Sequence, residues 1–173
     1  MKKTLSVLLL FLTTFATASA QQTTDEMIKN WERGKAYTRE YLDAMPDDGY
    51  SLKPTPEMRS FAEQMLHLAE ANYMFAAGAT GEKSPVTDLE KSTTDKSKAN
   101  ITKITLDSYD YVIASIKKLS AAQFKEMIKF FGQFDMTKEE VFNKAFEHQT
   151  HHRGQTTVYL RLKGVKPPQE KLF

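Results

Sequence analysis

Four histidines carry most of the chemistry open to this sequence: His67, His148, His151 and His152. His148 and His152 are four apart, so on a helix their rings leave one face, one turn apart. Two neutral imidazoles at that spacing can chelate a single divalent ion. At about 100° per residue, Val141, Ala145, Gln155 and Tyr159 share their face, and the apolar company turns it inward. Imidazoles on an inward stripe cost free energy unless something satisfies them. His67 lies on an earlier segment, roughly 120° around its helix from Phe61, where a side chain reaches sideways to a neighbour. A three-histidine face would leave coordination positions open, as catalytic rather than structural sites do. Spacing alone also allows His67 to be an ordinary surface or core histidine, and His148–His151 to be the pair.

Other chemistries are excluded more firmly. The 173 residues include no cysteine, so thiolate ligands, thiol nucleophiles and lipid attachment at a cysteine are absent. The His-x-x-x-His spacing has no Glu in second place, unlike zincin proteases, and no Glu-x-x-His pair supports a di-iron bundle. No Ser-His-Asp arrangement, phosphate loop or nucleotide fingerprint occurs. Glu63 and Glu70 flank His67 by one turn on either side. Each is a candidate base or partner to the ring, against the plainer reading of a solvated helix face.

The elements that must position these residues are helical. One stripe of Met27, Trp31, Thr38, Tyr41 and Met45 predicts a helix from about Asp25 to Met45, ended by Pro46-Asp47-Asp48-Gly49. Thr55 and Pro56 mark the start of a second, with Phe61, Met65, Leu68 and Phe75 inward and Gly78 and Gly81 closing it. Ser84 to Asp95 is a polar connection. A third helix spans about Lys96 to Leu119, with Ile101, Ile104, Ser108, Val112, Ser115 and Leu119 in register. Aromatic residues crowd around Gly132 between Ser120 and Met136, which predicts a short turn and hairpin. Thr137 and Glu140 form a capping box opening a fourth helix to about Leu162. Gly164 and Pro167-Pro168 stop it. The fold class is all-α, a four-helix bundle with a hairpin-like segment before the last helix.

Residues 1–20 read as a secretory leader, and 21–173 as one domain. Lys2 and Lys3 precede an apolar run from Leu5 through Leu12, and Ala18-Ser19-Ala20 fits the cleavage pattern. The run is shorter than the roughly 20 residues a membrane span needs. Removing the leader takes two lysines, so 24 basic residues become 22 against 22 acidic ones and the formal charge falls from +2 to zero. The expected location is therefore periplasmic or secreted, without a stable membrane anchor. No block of like charge suggests a nucleic-acid partner.

The string His148-Gln149-Thr150-His151-His152-Arg153-Gly154-Gln155 resembles the closing helix of the DinB family. Its members carry a histidine, three residues, then His-Arg-Gly-Gln. Trp31, Lys53-Pro54, Leu66-His67-Leu68-Ala69 and Arg161-Leu162-Lys163-Gly164-Val165-Lys166-Pro167-Pro168 extend the likeness along nearly all of the expected mature chain. The resemblance implies a bundle with that family's connectivity and one divalent ion held by His67, His148 and His152. It selects His152 over His151, since His152 stands directly before Arg-Gly-Gln. It also makes Arg153 and Gln155 supporting residues, and Gly154 a point of close helix approach. Imidazole donors suit zinc, nickel or iron alike.

Such an ion polarises a carbonyl or acidifies water, so metal-dependent hydrolysis of a small molecule is the simplest chemistry. A second reading is a non-catalytic periplasmic binder of metal or small ligand. A third, implied by some relatives, is a thiol-dependent transferase, which a leader disfavours because small thiols are chiefly cytosolic. Family members are often dimers, and the aromatics near Phe130 would permit a homodimer here.

Overall fold

A computed structural model of the chain describes residues 24–173, and the expected leader lies outside them. In chain order the elements are α1 (residues 24–44), α2 (Phe61–Thr80), the single turn α3 (Leu89–Ser92) and α4 (Lys98–Lys117). The single turn α5 (Ala121–Phe124), an antiparallel hairpin of β1 (Met127–Phe130) and β2 (Phe134–Thr137), and α6 (Lys138–Leu162) follow, and a 3-10 turn at Asp47–Gly49 lies between α1 and α2. Four long helices and a hairpin ahead of the last one are present in the expected order.

Of the expected α1 stripe, Trp31, Thr38, Tyr41 and, just past the helix end, Met45 are buried and Met27 is half-buried, while Tyr37 and Leu42 widen the buried face. The Trp31 ring meets Tyr109 of α4 at 5.7 Å and Phe146 of α6 at 5.4 Å, both edge-on. Such aromatic pairs add about 0.5–1.5 kcal/mol each beyond area burial. The α2 helix packs against the same two partners from its own side. A polar ladder crosses the core between them. Tyr109 donates to Gln149 Oε1 at 2.8 Å and shares a 2.7 Å hydrogen bond with Thr38. Arg153 donates to the same Gln149 oxygen at 2.7 Å, with its guanidinium 4.5 Å above the Tyr37 ring. Burial pushes the Tyr109 hydroxyl up to about 12, so it stays a donor throughout the ordinary pH range.

Three boundaries differ from the sequence expectation. The α2 helix starts at Phe61 rather than at Thr55 and Pro56, because Ser60 and Glu63 form a reciprocal capping box. The residues before it double back instead, with Phe61 N donating to Leu52 O at 3.1 Å and Ala62 N to Tyr50 O at 2.9 Å. At its far end α2 passes through Gly78 and stops at Thr80, capped by Gly81 at φ 77°. The polar connection also contains α3. There Glu70 accepts the backbone N–H groups of Asp88 and Leu89 at 2.6 and 2.9 Å, and Leu89 is buried.

The hairpin turns through Phe131 and Gly132, at φ 52° and 71°, with Gln133 N donating to Phe130 O at 3.2 Å. Phe130 pairs with Phe134, so residues 131–133 form the loop, and its two successive positive φ values suit glycine or asparagine best. A left-handed backbone costs a residue with a side chain about 1–2 kcal/mol. Phe130 is buried, and a Cβ on Gly78 would come within 2.5 Å of its ring, so Gly78 makes room for the hairpin to dock. Of the aromatics near Phe130, Phe131 and Phe134 are exposed, and Phe130 itself is buried.

Gly154 does not serve a close helix approach. A Cβ built there meets nothing within 4 Å. Gly154→Ala is therefore expected to raise stability by about 0.5–1 kcal/mol, since glycine in a helix interior costs about that much relative to alanine. Urea denaturation of the two proteins would show it, and a lower midpoint for the variant would refute it.

Candidate metal centre

Two helices supply the three histidines. The capping box fixes the start of α2 and hence the direction in which His67 leaves it; α6 carries His148 and His152 one turn apart. Their ring centroids are 4.5 Å apart for His67–His152, 4.2 Å for His148–His152 and 5.3 Å for His67–His148. One nitrogen from each lies within 4.8 Å of the others. Two ligands about 2.1 Å from a tetrahedral ion stand roughly 3.4 Å apart, which small side-chain rotations would reach from here. His151 falls outside this group. It is exposed, with its ring perpendicular to that of His152 at 5.0 Å.

Second nitrogens of two rings are held by the protein. His67 Nδ1 donates to Glu90 Oε1 at 2.9 Å, which leaves Nε2 with a free lone pair. The carboxamide of Gln64 holds Nδ1 of His152 at 2.9 Å. Gln64 in turn bonds Gln155, which donates to Nε2 of His151 at 2.9 Å. The carboxylate partner of His67 fixes the tautomer and orientation of that imidazole in the way metal-binding histidines need, whereas the Gln64 amide nitrogen, a donor toward Nδ1, holds the position of the His152 ring. The third ring differs. His148 Nδ1 is buried and has no hydrogen-bond partner among the described residues. A buried polar atom left open, beside two oriented imidazoles, fits a donor set that an ion completes.

The electrostatics favour the coordinating form. Burial, then the neighbouring His67 and His151, lowers His148 to about 4. Burial, then His148 and His67, lowers His152 to about 3. Both rings are therefore uncharged at neutral pH, as coordination requires.

Glu90 was not found by sequence reasoning, and neither was the role of Gln64. Glu90 sits on α3, inside a segment that reads as a polar linker, and its other oxygen pairs with Arg59 Nε at 2.9 Å. Buried Tyr159 donates to Arg59 O at 2.7 Å and so pins the segment that presents this guanidinium. Gln64 precedes His67 by three residues, a spacing that could have marked it as a neighbour. The two flanking acids are engaged elsewhere. Glu63 caps α2 and bonds Lys96 at 3.0 Å; the Ser60 N–H, ahead of Lys96, holds its carboxyl down to about 2. Glu70 caps α3. Arg153 ties α6 to α1 within the core ladder, and Gln155 is the one of the two expected supporting residues that joins the histidine network.

Known proteins share this architecture. The chain is 22% identical over 143 residues to the uncharacterised protein YjoA of Bacillus subtilis (strain 168), covering 81% of this chain and 90% of YjoA. It is 25% identical over 154 residues to the uncharacterised protein YrdA of the same organism, covering 85% and 87%. A crystal structure of a DinB-like protein from Bacillus cereus superposes with a TM-score of 0.74 at 19% identity, covering 85% of this chain and 97% of that one. That of YjoA superposes with a TM-score of 0.63 at 20% identity, covering 86% and 96%. The DinB superfamily profile matches residues 30–156, from just before Trp31 to just beyond Gln155. The chain belongs to the DinB superfamily.

Proposed function

We propose that the protein holds one divalent ion through His67, His148 and His152 and is a metal-dependent, hydrolase-like enzyme acting on a small molecule. The observation that carries this reading is the convergence of three imidazole nitrogens within 4.8 Å from two helices. A bound divalent ion supplies Lewis-acid chemistry, polarising a carbonyl or making water a better nucleophile. The chain's own residues do the rest. Glu90, steadied by Arg59, orients His67; Gln64 and Gln155 orient His152; Phe75, 5.9 Å from the His148 ring, keeps water off that side. Zinc, nickel and iron all suit the donors. Export through a leader ending near Ala20 belongs to the same proposal; among the described residues no helix is long and apolar enough to cross a membrane.

One observation favours a second reading, a non-catalytic binder of metal or small ligand. Glu63 and Glu70 are committed to helix caps and Glu90 to His67 and Arg59, so none of these three stands free as a general base. A panel of esters, amides and lactones separates the two. Hydrolysis that stops on chelation and returns with metal supports the enzyme. Protein carrying one ion per chain and inert across the panel sinks the enzyme and leaves the binder. Activity that needs an added thiol would replace both with a transferase.

A further inference from the structure

The surroundings of the histidine cluster differ from ring to ring. His67 and His152 are met by polar groups, Glu90 and Gln64, which also line an open cleft of about 750 Å³ with Arg59 and Gln155. His148 is met by an aromatic wall. Phe75 lies 5.9 Å from its ring, stacks on Phe130 at 5.2 Å and meets Phe131 edge-on at 6.2 Å.

Within that wall Phe131 stands out. Its backbone is left-handed, at a turn position that asparagine, aspartate or glycine fills without strain. Its ring nevertheless stays 52% exposed, while Phe130 beneath it makes the hairpin's buried contact with Gly78. The Phe131 ring leans on Phe130 at 3.9 Å, yet half of the residue faces solvent, and through Phe75 it continues the wall that begins at His148; a strained, exposed residue so placed points to a role in the site. We propose that Phe75 and Phe131 form a specificity wall that receives an apolar substituent, aryl or alkyl, of the substrate. The polar head of that substrate lies at the three histidines. The substrate class is then a compound with an apolar group close to its metal-seeking carbonyl or acyl function. This assignment rests on the metal-centre reading above.

Zinc-loaded protein can be titrated with two hydroxamates, which seek the ion equally but differ in their tails: acetohydroxamate and benzohydroxamate. The wild type is expected to prefer benzohydroxamate by roughly tenfold, in line with aromatic contact in a partly apolar site. Phe131→Asn, which suits the turn, should cut that preference to about threefold or less. Its acetohydroxamate affinity should stay within about twofold and its melting temperature at or above that of the wild type. Phe131→Leu should keep most of the preference. An unchanged preference in Phe131→Asn overturns the wall alone. So does a fall in both affinities together, or a marked loss of stability, either of which would make Phe131 a packing residue. Protein shown by elemental analysis to carry zinc but binding neither hydroxamate overturns the open metal centre, and this assignment with it.

Discussion

Zinc or nickel should raise the melting temperature of the metal-free protein by about 5–10 °C at a hundredfold excess over Kd, and His148→Ala should abolish the rise. A ligand at that excess stabilises by about 2.7 kcal/mol, and a chain of this size gains about 2–4 °C per kcal/mol. His148 gives the sharpest test because, of the three rings, it alone carries a buried nitrogen with no hydrogen-bond partner among the described residues. Without metal its buried Nδ1 is unpartnered, which costs about 1–3 kcal/mol. Replacing the ring with an apolar side chain removes that cost together with the donor. Metal-free His148→Leu should therefore melt at or above the metal-free wild type, and metal should not move it. Thermal melts with and without ion, beside elemental analysis, give the answer. If the stripped variant melted several degrees lower and still responded to metal, His148 would be a core residue and not a ligand.

Glu90→Ala should weaken metal binding by about 10–100-fold, or roughly 1.4–2.7 kcal/mol. The carboxylate fixes which nitrogen of His67 carries the proton, and Arg59 holds the carboxylate in place. Removing it frees the ring to turn and to exchange tautomers. Glu90→Gln keeps an acceptor but loses the charge, so a smaller loss, below about tenfold, is expected. Competition with a chromogenic chelator measures both. An affinity for Glu90→Ala equal to that of the wild type would show that α3 has no part in the site.

The contact between Glu90 and His67 is not legible in the sequence, and the reason is physical. Helical periodicity reports what lies three or four residues away on the same element. It shows the inward stripes of α1, α2, α4 and α6, the His148–His152 pair and the Thr137–Glu140 cap. Glu90 reaches His67 across 23 positions, from a segment whose composition announces only a linker. Its place depends on Glu70 capping α3 and on Leu89 finding a core, both products of tertiary packing. The same blindness makes Pro56 a false start for α2: a favoured first-turn residue lost to a stronger reciprocal cap four residues on. Gly154 is a further case. The family resemblance implies a close helix approach at this glycine, whereas the space beside it is open. His67 was ambiguous by spacing, and the likeness to the DinB family, more than periodicity, singled it out.

The three rings stand on long, rigid helices, whereas Glu90 comes from the connection between α2 and α4, and Phe131 from the hairpin ahead of α6. Grip on an ion and choice of what meets it are thereby housed in separable parts. Grafting the hairpin tip or the 84–95 linker of one bundle onto another would retarget the site without touching its anchor. An architecture divided in this way lends itself to diversification by swapping short surface segments.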